Sequence, residues 1–95
     1  MAYVSVRHRV KDYPTWKSTF DAFIENRKAG GEKTYQILHP VDDPNNLVLI
    51  FEWDTAENAQ TFLSSPQLRE AMGEAGVLEA PEIYILEEVA RGVTA

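Results

Sequence analysis

The seven residues Leu47-Val48-Leu49-Ile50-Phe51-Glu52-Trp53 restrict this chain more than any others. Alternate residues of a β-strand point to opposite faces. Leu47, Leu49, Phe51 and Trp53 therefore share one face, and Val48 and Ile50 share the other. A strand with two apolar faces must be shielded from water on both sides, so the chain has to supply or recruit two covering layers.

The flanking segments supply one of those layers. Residues 2–10 alternate as a strand, with Val4, Val6, His8 and Val10 on one face and Tyr3, Ser5, Arg7 and Arg9 on the other. Asp12 is a predicted N-cap, and Pro14 suits a first helical turn, where no amide donor is needed. That helix is predicted to run to about Ala29. Trp16, Phe20, Phe23, Ile24 and Arg27 form its apolar stripe, and Gly30-Gly31 ends it. Residues 33–40 read as a second strand, with Tyr35 and Ile37 opposite Gln36 and Leu38. The turn-forming VDDPNN (41–46) makes a hairpin into the third strand. Asp54-Thr55-Ala56-Glu57 has the pattern of a capping box and opens a helix that turns Ala59, Phe62 and Leu63 inward. Ser65-Pro66 restarts the chain as a short helix carrying Leu68, Ala71 and Met72. After Pro81, EIYILEEV is the last strand.

The element order is β-α-β-β-α-β over residues 1–95, with no internal repeat or linker, so one domain is expected. Right-handed crossovers and a central hairpin make this an α+β, ferredoxin-like sandwich: a four-stranded antiparallel sheet with helices on one face. The other face would then carry Val48, Ile50, Tyr84 and Leu86. A second copy packed sheet to sheet is the economical cover, which predicts a two-fold homodimer. Arg7 and Glu52 fall on that same face and are expected to pair within the buried layer.

Charge and composition exclude several functions. The formal net charge is −6, and Asp54 to Glu88 holds eight carboxylates against one base, Arg69. A nucleic-acid partner needs clustered Lys and Arg, so none is expected. The β-α-β-β-α-β order also occurs in RNA-recognition domains, but LVLIFEWD lacks their basic, glycine- and aromatic-rich third strand. With no cysteine there is no thiolate nucleophile, disulfide or cysteine-ligated zinc. A metal site on His8 and His39 would need a third ligand that the pattern does not place. No phosphate loop or G-x-G-x-x-G is present, and no cofactor is expected. The opening MAYVSVRHRV alternates and carries charge, unlike a signal peptide. The run Leu47 to Phe51 is too short to span a bilayer, so a soluble cytoplasmic protein is expected.

The candidate chemistry lies on the inner face. His8 points with Val4 and Val6 toward the space lined by Trp16, Phe20, Leu49, Phe51 and Trp53, where an imidazole can act as a base near neutral pH. The bland alternative is a buried neutral imidazole hydrogen-bonded to a carbonyl or carboxylate. Trp16, Phe20 and Phe23, with Phe62 opposite, suit a flat apolar ligand, or simply a packed core. The indoles of Trp16 and Trp53 need acceptors if buried. Arg27 can clamp an anionic substrate or sit in a salt bridge. The expected assignment is His8 as catalytic residue, with Trp16, Phe20, Arg27, Trp53 and Phe62 as substrate-binding residues.

The phrases HRVKDYPTWKSTFD (8–21), DDPNNLVLIFEWD (42–54) and EAGVLEAPEIYILEEV (74–89) resemble the dimeric α/β-barrel superfamily, which includes antibiotic-biosynthesis-monooxygenase-like domains. More narrowly, the chain resembles small bacterial members with an H-x-V-x-D-Y-x-x-W-K opening. The resemblance covers nearly the whole chain. It implies the ferredoxin-like fold, a homodimer and a pocket between helices and sheet. It also implies cofactor-independent monooxygenase-like or isomerase/cyclase-like chemistry on an apolar or aromatic molecule. The monooxygenases of that group orient their substrates with Asn, Trp, Tyr and Arg. Trp53 and Arg27 stand in suitable places here, but the first strand has no asparagine. The haem-degrading relatives use an axial histidine on a helix, and neither His8 nor His39 is on a predicted helix. The other expectation is a non-catalytic dimeric module of structural, stress-related or small-molecule-sensing kind.

Overall fold

The alternation of the first and third strands becomes the centre of the sheet in a computed structural model, which describes residues 1–95. The elements run β1 (Ala2–Arg9), α1 (Tyr13–Ala22), α2 (Ile24–Gly30), β2 (Glu32–Leu38), β3 (Asn46–Trp53), α3 (Ala56–Leu63), α4 (Pro66–Glu74) and β4 (Glu82–Leu86). The strands lie in the order β2-β3-β1-β4, and every neighbouring pair is antiparallel. This is the α+β, ferredoxin-like sheet expected from the element order.

Register decides which side chains share a layer. In the β1/β3 ladder Val4 faces Phe51, Val6 faces Leu49 and His8 faces Leu47. These inner residues are all buried, and the helices pack over them. Fully burying side chains such as Val4, Leu47 and Trp53 contributes roughly 1.5–3 kcal/mol each. On the outer face Val48 and Ile50 are half-buried, while Tyr84 is 62%, Leu86 45% and Leu38 44% exposed.

The same register corrects the expected Arg7–Glu52 pair. Arg7 lies opposite Val48, and Glu52 lies opposite Tyr3. Four residues along β1 separate the two cross-strand pairs, about 13 Å. Arg7 instead meets Glu82, directly across on β4, at 3.7 Å.

The helices differ from expectation at their ends. The first helical segment is broken at Phe23, whose amide is shared between the carbonyls of Thr19 and Phe20. The break turns Ile24 outward, 47% exposed, and sends Arg27 into the interior. Asp12 occupies the N-cap position without a side-chain bond; the Tyr13 amide donates instead to Asn45 Oδ1 at 3.0 Å, across from the hairpin loop. The cap of α3 is Thr55, not Asp54: Thr55 Oγ1 accepts the Asn58 amide at 3.0 Å. Asp54 braces it by accepting the Thr55 amide and the Asn58 side chain. Ser65 caps α4, accepting from the Leu68 amide. Gly31 ends α2 at φ 115°, and a Cβ there would strike the Asp54 carboxylate. No helix is long and apolar enough to cross a membrane.

Candidate functional site

Between the inner face of the sheet and the helices lies a cavity of about 80 Å³. That is room for several water molecules, but less than the ~300–1,000 Å³ of an ordinary ligand pocket. Nineteen residues line it, and fifteen are hydrophobic. The other four are His8, Thr19, Arg27 and Glu32. His8, Trp16, Phe20, Arg27, Trp53 and Phe62 all line this one cavity. Strand alternation supplies His8 and Trp53, α1 supplies Trp16 and Phe20, the kink into α2 brings Arg27, and α3 contributes Phe62.

His8 is held by β1 among valines and is 3% exposed. Its ring lies edge-on to Trp16, with centroids 5.8 Å apart. Neither ring nitrogen has a hydrogen-bond partner, so the carbonyl or carboxylate that would quiet a core histidine is not supplied by the chain. Burial pulls its pKa from 6.5 to about 4. The sequence suggests a base poised near neutrality; the structure holds a neutral imidazole with one donor and one acceptor nitrogen.

Aromatic rings continue from His8. Trp16 stacks on Phe20 at 4.8 Å, and the Arg27 guanidinium lies 3.6 Å over the other end of that row, on the Phe20 ring. A cation so placed contributes about 0.5–2 kcal/mol. Arg27 is 3% exposed and donates from Nη1 to Glu32 Oε2 at 3.1 Å. Nε and Nη2 of Arg27 and Oε1 of Glu32 have no partner. Each such buried atom costs about 1–3 kcal/mol unless something satisfies it. Burial pushes the Glu32 carboxyl up, against the pull of Arg27, to about 7. Burial also lowers Arg27, but guanidinium stays charged across the working pH range.

Trp53 and Phe62 form the wall nearest α3, with centroids 5.1 Å apart. Trp53 Nε1 donates to the Gly30 carbonyl at 2.8 Å, so this indole closes the turn after α2 and has no donor left for a ligand. His39 lies past the end of β2 and is exposed. No group of three or more His, Asp or Glu side chains converges on a point where a metal could bind.

Glu32 is the site residue that sequence reasoning missed. It reads as an ordinary charged residue at a strand start. The available signal was an arginine on an apolar helix stripe followed, across Gly30-Gly31, by a carboxylate that the turn could fold back against it. Tyr35, which the sequence offers only as a possible hydroxyl donor of unfixed direction, contributes its ring. Its ring meets Phe20 edge-on at 5.1 Å and forms the outer rim of the arginine site.

Neither a protein-family model nor a curated protein sequence matches the chain. Solved structures do. SnoaB, a cofactor-independent oxygenase from Streptomyces nogalater, superposes with a TM-score of 0.74 at 18% identity, covering 97% of this chain and 94% of that one. An antibiotic biosynthesis monooxygenase gives 0.70 at 14% identity, covering 95% of this chain and all of that one. A dimeric ferredoxin-like protein from an uncultured marine organism gives 0.64 at 11%, covering 99% of this chain and all of that one. At such identities the likeness is one of architecture: the chain has the ferredoxin-like fold shared by the antibiotic-biosynthesis-monooxygenase-like proteins.

Proposed function

We propose that this protein is a homodimer that binds a small, mainly apolar or aromatic molecule between its helices and sheet. The observation that carries the reading is the His8 imidazole, buried against the cavity with both nitrogens unpartnered. A core histidine of purely structural use is normally satisfied within the chain. Trp16, Phe20, Trp53 and Phe62 are the walls, Arg27 marks the far polar end, and His8 hydrogen-bonds the ligand. The neutral imidazole is the form able to take a proton from a bound molecule. Cofactor-independent chemistry, the description given to SnoaB, falls within this reading.

Native mass spectrometry of the protein purified from cells tests it, together with titration of the apolar single-ring probe p-xylene followed at the Trp16 and Trp53 indole resonances. The expected result is a non-covalent adduct in the wild type that is lost in an equally stable His8→Ala variant. It is accompanied by saturable shifts of both indoles with p-xylene. No adduct and no shift would reject the pocket. A second reading, a non-catalytic dimeric module, draws on the cavity's size, about 80 Å³; the same null result would favour it.

A further inference from the structure

We propose that the Arg27–Glu32 pair holds the polar end of the ligand and selects a neutral group that both donates and accepts a hydrogen bond, a hydroxyl or primary amide, over a carboxylate. The proposal rests on the pocket reading above and gives that pocket its ligand chemistry.

Guanidinium and carboxylate groups can meet through two parallel bonds. Here they make one, from Nη1 to Oε2 at 3.1 Å. The second half of each fork is left open: Nη2 and Nε on the arginine, Oε1 on the glutamate. Both side chains are over nine-tenths buried, 4% and 7% exposed, and both contribute to the wall of the cavity. Two donors and one acceptor of a single ion pair are therefore unpaired in the wall of an apolar chamber. A hydroxyl fits that set, since its oxygen accepts from Arg27 while its proton goes to Glu32 Oε1. A primary amide fits it through its C=O and N–H.

A carboxylate does not fit. The arginine's charge is already balanced by Glu32, so an anion would be desolvated beside a second carboxylate. The expectation that Arg27 clamps an anionic substrate is replaced by recognition of an uncharged one. Burial raises the Glu32 carboxyl to about 7. Measurements at about pH 8.5 therefore keep it ionised and the pair neutral.

The test uses three single-ring probes of similar shape: p-cresol, p-xylene and 4-methylbenzoate. Dissociation constants are measured for the wild type, for Arg27→Met/Glu32→Leu and for Glu32→Gln. The wild type should bind p-cresol more tightly than 4-methylbenzoate. Its preference for p-cresol over p-xylene should be about tenfold greater than that of the double variant, in which His8 is intact. Glu32→Gln leaves the Arg27 charge unbalanced and should swing preference toward 4-methylbenzoate by about tenfold. This single variant decides the matter if the double one does not fold. A p-cresol to p-xylene preference unchanged in the double variant, or no gain for 4-methylbenzoate in Glu32→Gln, overturns the proposal while the pocket stands. If none of the three probes binds the wild type, the pocket and the proposal fall together.

Discussion

His8 and Glu32 are strained in opposite directions by the same cause. Burial favours the neutral form of each, which lowers the histidine to about 4 from 6.5 and raises the glutamate to about 7 from 4.5. For His8 the unfolded chain binds the extra proton between about pH 4 and 6.5. Stability is therefore lost as pH falls through that window, by on the order of 3 kcal/mol. For Glu32 the folded chain holds the extra proton between about 4.5 and 7, so stability is lost as pH rises. Where the windows overlap the slopes oppose, and the wild type should show a nearly flat profile from about pH 4.5 to 6.5. Urea unfolding at a series of pH values separates the two. His8→Leu should leave a protein that weakens as pH rises toward 7; Glu32→Gln should leave one that weakens as pH falls toward 4. Identical profiles for His8→Leu and wild type would show that the imidazole is not desolvated.

At the level of elements, the start of α1 is stabilised by a group the local sequence does not advertise, while α3 and α4 are capped by their own Thr55 and Ser65. The α1 amide at Tyr13 is satisfied by Asn45, thirty-two residues away, while Asp12 contributes no side-chain bond. Asn45→Ala should therefore cost about 1 kcal/mol, and Asp12→Ala clearly less, in thermal or urea unfolding; the reverse order would refute the assignment. The contrast shows what sequence can carry. The strands, their faces and the β-α-β-β-α-β order were legible because period-2 alternation in residues 2–10 and 47–53 is a local signal. That His8, Trp16, Phe20, Trp53 and Phe62 face the interior was legible for the same reason, while Arg27 reaches it through the kink at Phe23. What escaped depends on long-range register or on single backbone turns. The Arg7 partner was set by strand pairing, and the exposure of Ile24 by the kink at Phe23. The partnership of Glu32 with Arg27 was set by the glycine turn after α2.

At the scale of the whole molecule, the two faces of β3 serve separate purposes. Leu47, Leu49, Phe51 and Trp53 are consumed by the chain's own helices, and the outer face keeps Tyr84, Leu86 and Leu38 in water, beside the half-buried Val48 and Ile50. An apolar surface on a sheet four strands wide suits an isologous partner, and a stable contact needs about 800 Å² from each copy. Of the charged groups on this face, Arg7 pairs with Glu82, Arg91 donates to the Tyr3 hydroxyl, and Glu52 lies opposite Tyr3 near the end of β3. Ile50 lies opposite Ser5 on the inner pair of strands. Ile50→Lys should bring a charge into the centre of the proposed contact and yield a monomer by sedimentation, where the wild type should sediment at twice the chain mass. Because alternation points Ile50 away from the cavity, the variant should keep its far-ultraviolet circular dichroism and its p-xylene binding. Loss of that binding along with the dimer would mean that the second copy helps to shape the pocket. A wild type that sediments as a single chain at tens of micromolar would remove the sheet-to-sheet dimer altogether.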